Sequence, residues 1–554
     1  MIVLEKKSIY LFYLLIAIVY GFGMFLPLME NDSAQHAVMS MRMYLENDFF
    51  TIMRGTEAYL DKPHMHFWLA AISYKIFGIY DWAYRIPALL FTLLGAISTY
   101  QLTKELYHKN VAHIAALIFL TSQSIILANH DVRTDAVLTG ATIFSIWQLF
   151  LFTKTKKILP IVLGAIGMGI AFSTKGLFGV FIIGISILLH LLYTRNLKVL
   201  FSYKIFIGLI VFVASISPVL YAYYVQFGAD GVQFILWDQN FDRLSAANAA
   251  PIHPEFHFFF HTLLWVFAPW ALIFYFGLFK RIRSLVRTKC KLQSNFEVLT
   301  FGGAVITLLI LSTSQFKLPH YLNPLLPLFA IFTAGFLHSL MENKQVKTVK
   351  IFLYIQYFLV GVSVVGMVFL LFFTFDFPKV YTLVGMTLLL LYLGRIVFSK
   401  DQPYRKIIAV SVVVMIFANF GLNSYFYPEL LNYQAGIPMS KLIEENKIPK
   451  KSIYIHNQNY SWTLDFYTQR NTPSINIEEL KNLDTDIWLF TDKKQSLDEL
   501  KENDISIQGE YVVDHFRVAK LNLTFLNPKS RAGKLKKGYL LHIVPKFSSM
   551  TKSL

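Results

Sequence analysis

The chain has 554 residues, of which 55% are hydrophobic, 16% aromatic and 15% charged, and its mean hydropathy is +0.49. That composition excludes a soluble globular protein and implies a polytopic membrane protein. The formal charge of +17 sits between apolar runs, as bilayer orientation requires, so it does not imply nucleic-acid binding, and a single cysteine, Cys290, excludes an intrachain disulfide or a cysteine metal cluster.

The first apolar run, residues 9–28, follows Lys6 and Lys7 and ends in FLPLMEND. It is too long for a secretory signal and lacks a small-residue cleavage site, so it predicts an uncleaved spanning helix with a cytoplasmic N-terminus. Further spans are expected near 82–103, 111–129, 134–152, 158–173, 176–193, 205–225, 257–279, 297–313, 320–340, 350–374, 379–398 and 407–425. That makes about thirteen. The pair around 173–176 is separated only by a short Ser173-Thr174-Lys175 break, yet splitting it keeps the alternate loops basic, from Lys104 and Lys109 through Lys154, Lys156 and Lys157 to Arg395, Lys400 and Arg405. An odd count exports everything after about residue 427.

The expected division is a transmembrane unit over 1–427, with outward loops at 29–81 and 226–256, and a soluble unit over 428–554. In the latter, apolar runs shorten to strand length in SIYIHN, DIWLFTD, EYVVDHF and YLLHIV, separated by the helical patterns IEELKNL and SLDELKE. The pattern predicts a small α/β domain outside the membrane, serving as a cap. The fold class is therefore a mainly α membrane protein with a small C-terminal α/β domain.

The outward loops carry the chemistry. They hold Asp32, Asp61 and Lys62, then Asp131, Arg133 and Asp135, then Lys175, and later His253, Lys317, His320 and Tyr321. Carboxylates near span ends line watery cavities more readily than they face lipid. Asp32 could act as a general base in a partly desolvated cleft, or cap the helix expected to follow it. Asp135 could orient a reacting group or cap the fourth span. Lys62 in Asp61-Lys62-Pro63 and Lys175 before Gly176 suit a lipid-borne phosphate, or could snorkel to the headgroups. The residues near Gly164, Gly167 and Gly169 read as a close helix approach, and the polar loop with Trp237, Asp238, Phe241, Asp242 and Arg243 as a lid.

Six motifs in order, ENDSAQHA, YLDKPHMHFWLAAISYKIFG, YRIPALLF, VRTDAVLTG, GMGIAFSTKGLFG and SQFKLPHYLNPLLP, resemble the GT-C glycosyltransferases. The likeness is to the lipid A aminoarabinose transferase and protein O-mannosyltransferase group, over about residues 8–340, with the remaining spans and the outer domain agreeing in arrangement only. It implies an enzyme that takes a sugar from polyprenyl phosphate at the outer face of the bacterial inner membrane. The acceptor would be lipid A, a protein hydroxyl or another glycan. By the same resemblance Asp32 is the essential acid after the first span, Lys62 binds the donor phosphate and Lys175 is the lysine of the TKG motif. Asp135 matches the acid opening the fourth span, while Tyr321, with Lys317, falls in the motif at the donor phosphate. Two departures stand out: Asp61 where the group often has Glu, and Gln35 where Arg often follows. Some relatives bind a divalent metal through that Glu and a later histidine, for which Asp61 and His253 are the matching positions, with His257 an alternative to His253. A flippase for the same lipids, or a glycan polymerase or ligase, is the competing reading.

Overall fold

The computed structural model describes residues 5–239, 252–287 and 297–545. Cys290 and the expected lid residues Phe241, Asp242 and Arg243 lie outside them. Every expected span falls on helix. Among the described residues nine helices are long and apolar enough to cross a membrane, and Lys109–Leu120, Leu177–Tyr193 and Leu299–Thr313 are shorter apolar helices. The stretch expected as one span at 257–279 is two helices, Phe258–Val266 and Ala271–Arg287, with Pro269 between them. A proline has no N–H to continue the ladder, so the run divides there. Among the described residues, length and hydropathy by themselves account for nine of the thirteen expected crossings.

The narrow break at residues 173–176 is real. The helix Ile158–Lys175 ends at Gly176, whose φ of +64° is open to glycine and strained for other residues, and Leu177–Tyr193 starts anew. The expected close approach at the glycines is also present. A Cβ on Gly164 would meet Leu149 at 2.7 Å, and one on Gly169 would meet Ser215 at 2.4 Å.

The loop at 29–81 is a folded platform. It contains the helix Asp32–Glu46, a hairpin of β1 (Met53–Arg54) and β2 (Glu57–Ala58), and the helix Met65–Phe77. Arg85, buried in the helix Asp81–Leu106, fixes how the chain enters this platform. Its guanidinium donates to the carbonyls of Met24, Leu26, Pro27 and His130 at 2.5–3.1 Å. A buried cation at the end of the first span is thereby supplied with four acceptors.

The C-terminal part holds a five-stranded sheet in the order β4 (Ser474–Ile475), β3 (Ile453–His456), β5 (Ile487–Thr491), β7 (Lys536–Ile543) and β6 (Ile507–His515). The first three pair in parallel, and β7 runs antiparallel to both of its neighbours, β5 and β6. The helices Ile477–Lys481 and Lys494–Glu502 match the two expected patterns.

Glu30 ties this sheet unit to the platform. Its carboxylate accepts from the backbone N–H groups of Trp462 and Thr463 at 2.6 and 2.8 Å, at the start of the helix Trp462–Thr468. Gln434 and Tyr467 bond the Leu28 backbone from the same side.

Burial holds the carboxyl of Asp465, in that helix, up at about 8, despite a 3.2 Å bond from the Thr472 N–H. The folded chain therefore keeps a proton that the unfolded chain releases between about pH 4 and 8, so this group's contribution to stability falls as pH rises through that window. Asp465→Asn, which can still accept from Thr472, is expected to flatten that slope and to stabilise the chain at pH 8 by about 1–3 kcal/mol. Thermal unfolding of both proteins at pH 5 and pH 8 checks it: parallel curves would contradict the assignment.

Candidate active site

Asn31, Asp32 and Ser33 all favour a helix start, and the structure selects Asn31 as the cap, its side chain accepting from the Ser33 N–H at 2.8 Å. Asp32 is the first helical residue and is released from capping. Its side chain is 58% exposed and lies 3.1 Å from Arg133 Nη1. The partly desolvated cleft expected around it is therefore replaced by an open position beside a cation.

Arg133 is the joint of the site. Its other terminal nitrogen donates to Asp131 Oδ2 at 2.9 Å. Burial works against the guanidinium charge, but the carboxylates of Asp131, Asp32 and Asp135 outweigh it and hold Arg133 above its usual range.

Lys175 and Asp135, forty positions apart, meet at 2.9 Å with side chains only 3% and 4% exposed. The ammonium also lies 4.4 Å from the centre of the Tyr321 ring. Snorkelling is thus excluded for Lys175, because the group is turned inward onto an acid and an aromatic face. Capping is likewise not Asp135's role: it opens the helix Asp135–Thr155 as its first residue and bonds Lys175 instead.

Lys62 pairs with Asp61 on a turn that the membrane body grips from the side. Tyr223 donates to the Leu60 carbonyl at 3.0 Å and Gln239 to the Asp61 carbonyl at 2.5 Å. Gln226 makes a two-way contact with the Ile52 backbone. The residues on either side of the Gly228 kink, where φ is +66°, therefore close down on the Asp61-Lys62 turn.

Lys317 donates to the carbonyls of His253 and Pro254 at 3.2 and 2.9 Å and so holds the 252–254 segment. His253 stacks on Phe258 with ring centres 4.4 Å apart. Among the described residues no group of three or more His, Cys, Asp and Glu side chains could hold a metal ion. Asp61, one of the two positions matched to a metal site, is here paired with Lys62.

The neighbours missing from the sequence reading are Arg85, Glu30 and two histidines. His36 lies one turn beyond Asp32, and its ring centre is 5.5 Å from that of His66. Tyr84 spends its proton on the Val132 carbonyl, so it accepts from His66 Nε2 at 3.1 Å. Burial pushes His66 down to about 4, and pushes His36 well below its ordinary value with help from His66, Lys62 and Arg133. Both rings are neutral at pH 7, adding no charge to the cations beside them. The only local signal was the DSAQH spacing, which puts His36 on the Asp32 face of the helix.

Comparison with known proteins bears on the fold and on the family resemblance. A family model described as dolichyl-phosphate-mannose-protein mannosyltransferase matches residues 61–222. An uncharacterized protein from Aquifex aeolicus is 27% identical over 426 residues, covering 73% of this chain and 81% of its own. Undecaprenyl phosphate-alpha-4-amino-4-deoxy-L-arabinose arabinosyl transferase 2 from Proteus mirabilis is 25% identical over 344 residues, 61% of this chain and 60% of its own. The chain thus spans about three fifths of that transferase. The crystal structure of ArnT from Cupriavidus metallidurans bound to undecaprenyl phosphate superposes with a TM-score of 0.72 at 17% identity, covering 97% of this chain and 98% of that one. The chain has the ArnT fold. The resemblance carried by the six motifs is borne out, and the likeness in fold covers the remaining spans and the C-terminal sheet as well.

Proposed function

We propose that the chain is a glycosyltransferase that moves a sugar from a polyprenyl-phosphate donor to a hydroxyl acceptor, by inverting displacement at the anomeric carbon. The observation that carries this reading is the gathering of Lys62, Arg133 and Lys175 with Asp32 and Asp135 at one end of the spans of an ArnT fold. Asp32, exposed beside Arg133, takes the proton of the attacking hydroxyl. The acceptor oxygen bonds to the anomeric carbon as the carbon–oxygen bond to phosphate breaks, and polyprenyl phosphate departs with the electron pair. Lys62 and Arg133 stabilise the charge arriving on that phosphate, and the Lys175–Asp135 pair with Tyr321 fixes the site's inner wall. A phosphate leaves without needing an acid, so no second carboxylic acid is required. No step is routed through a metal.

The basic loops support an orientation with this site and the C-terminal unit on the outer face of a bacterial inner membrane. The transmembrane unit over 1–427 is then the transferase, and 428–554 its cap, held through Glu30. The name of the Proteus mirabilis relative makes lipid-linked 4-amino-4-deoxy-L-arabinose the first donor to test.

The test is turnover of polyprenyl-phosphate-linked sugars by the full chain in reconstituted membranes, with a crude lipid and protein extract as acceptor. Release of polyprenyl phosphate together with a newly glycosylated product is the expected result. Movement of intact labelled lipid between leaflets without consumption would replace the enzyme by a flippase.

A further inference from the structure

At the membrane face opposite Asp32, a cavity of about 400 Å³ opens among three spanning helices. It lies at the N-terminal ends of Lys6–Met24 and Pro403–Gly421 and the C-terminal end of Val380–Phe398. The ionisable side chains lining it include Lys7, Arg395, Arg405 and Lys406, against the two acids Glu5 and Asp401. Lys406 is committed to the Val397 and Ser399 carbonyls at 2.7 and 3.0 Å, and Asp401 accepts from Ser399 Oγ at 2.9 Å. Lys7, Arg395 and Arg405 make no ion pair among the described residues. Four cations and two acids leave a positive excess in a concave site.

Inward of the cavity, the helix faces that carry its bases continue as exposed apolar residues. Leu391 and Leu388 lie one and two turns inward from Arg395 and are 66% and 61% exposed, and Tyr10 and Leu14 are similarly open on the first helix. Orientation in a bilayer needs basic loops, but it does not need a cavity that collects bases from three helices beside an acyl-chain track. Basic pockets between spanning helices are where anionic lipid headgroups bind.

We propose that this cavity binds the headgroup of an anionic phospholipid, held by Lys7, Arg395 and Arg405, with its acyl chains along Leu388, Leu391 and Leu14. The site is separate from the transferase centre and does not depend on that reading. A free phosphate would share the charge contacts but leave the apolar rim unused.

The test uses the full chain in phosphatidylcholine nanodiscs containing a minor fraction of cardiolipin or phosphatidylglycerol, with retained lipid counted by native mass spectrometry. The unaltered chain is expected to retain anionic lipid, and Arg395→Gln/Arg405→Gln to bind it on the order of thirtyfold more weakly, as two basic contacts at a bilayer surface imply. Lys347→Gln, an exposed base outside the cavity, should change nothing. Equal retention of phosphatidylcholine, an unchanged double variant, an equal loss in Lys347→Gln, or competition by inorganic phosphate alone would each overturn the proposal. Thermal unfolding in pure phosphatidylcholine separates these outcomes from misfolding, because a folded double variant melts there with the unaltered chain.

Discussion

Asp32→Asn is expected to lower sugar transfer by about 10²–10⁴-fold while leaving folding and polyprenyl-phosphate binding in place. The substitution keeps the shape of the side chain and removes only its capacity to take a proton. Nothing structural hangs on that capacity. The helix is capped by Asn31, the Asp32 carboxylate is more than half exposed, and Arg133 keeps Asp131 at 2.9 Å when the Asp32 charge is gone. Loss of a negative charge at the first helical position costs only a few tenths of a kcal/mol by the helix-dipole effect, about 0.3–1 at most. Turnover and thermal unfolding, measured on the same preparation, should therefore separate sharply. If Asp32→Asn retains turnover within tenfold of the unaltered chain, Asp32 is not the base and Arg133 is only its surface partner.

The spans were legible because runs of apolar residues near twenty long admit few other readings, and the break at Gly176 was legible because a charge and a glycine interrupt such a run. Strands β3, β5, β6 and β7 were legible as short alternating or apolar runs. Strand β4 was not, since a two-residue edge strand has no period to show, and the β1–β2 hairpin escaped for the same reason.

At the site, Asp32 could be picked out from its position beside a span end, and Lys62 and Lys175 from their places beside turn residues in apolar surroundings. Their partners could not. Lys175 meets Asp135 across forty residues, and Glu30 meets Trp462 across 432. Such contacts are decided by how helices pack, and local pattern carries no record of them. The choice of Asn31 over Asp32 as cap has a similar origin. Three adjacent residues have the right chemistry, and the entry angle set by Arg85 on the preceding carbonyls selects among them.

The buried pair offers a sharper test of whether an ion pair in this fold serves stability or chemistry. Lys175→Met leaves the Asp135 carboxylate enclosed without its cation, and such a loss costs about 3–5 kcal/mol. Asp135→Asn removes the acid from the buried ammonium, which keeps the Tyr321 ring at 4.4 Å. Combining the two replaces an ion pair by neutral groups of similar size, a change that is often close to neutral for stability. The double variant Lys175→Met/Asp135→Asn should therefore melt nearer the unaltered chain than either single variant does. Turnover should not follow. If the pair forms the inner wall of the donor site, the double variant stays at least a hundredfold below the unaltered chain despite its recovered fold, because the Lys175 ammonium is gone from the wall that faces the departing phosphate. Recovery of turnover in step with the melting temperature would instead make the pair a packing device, and would leave Lys62 and Arg133 alone to meet the phosphate.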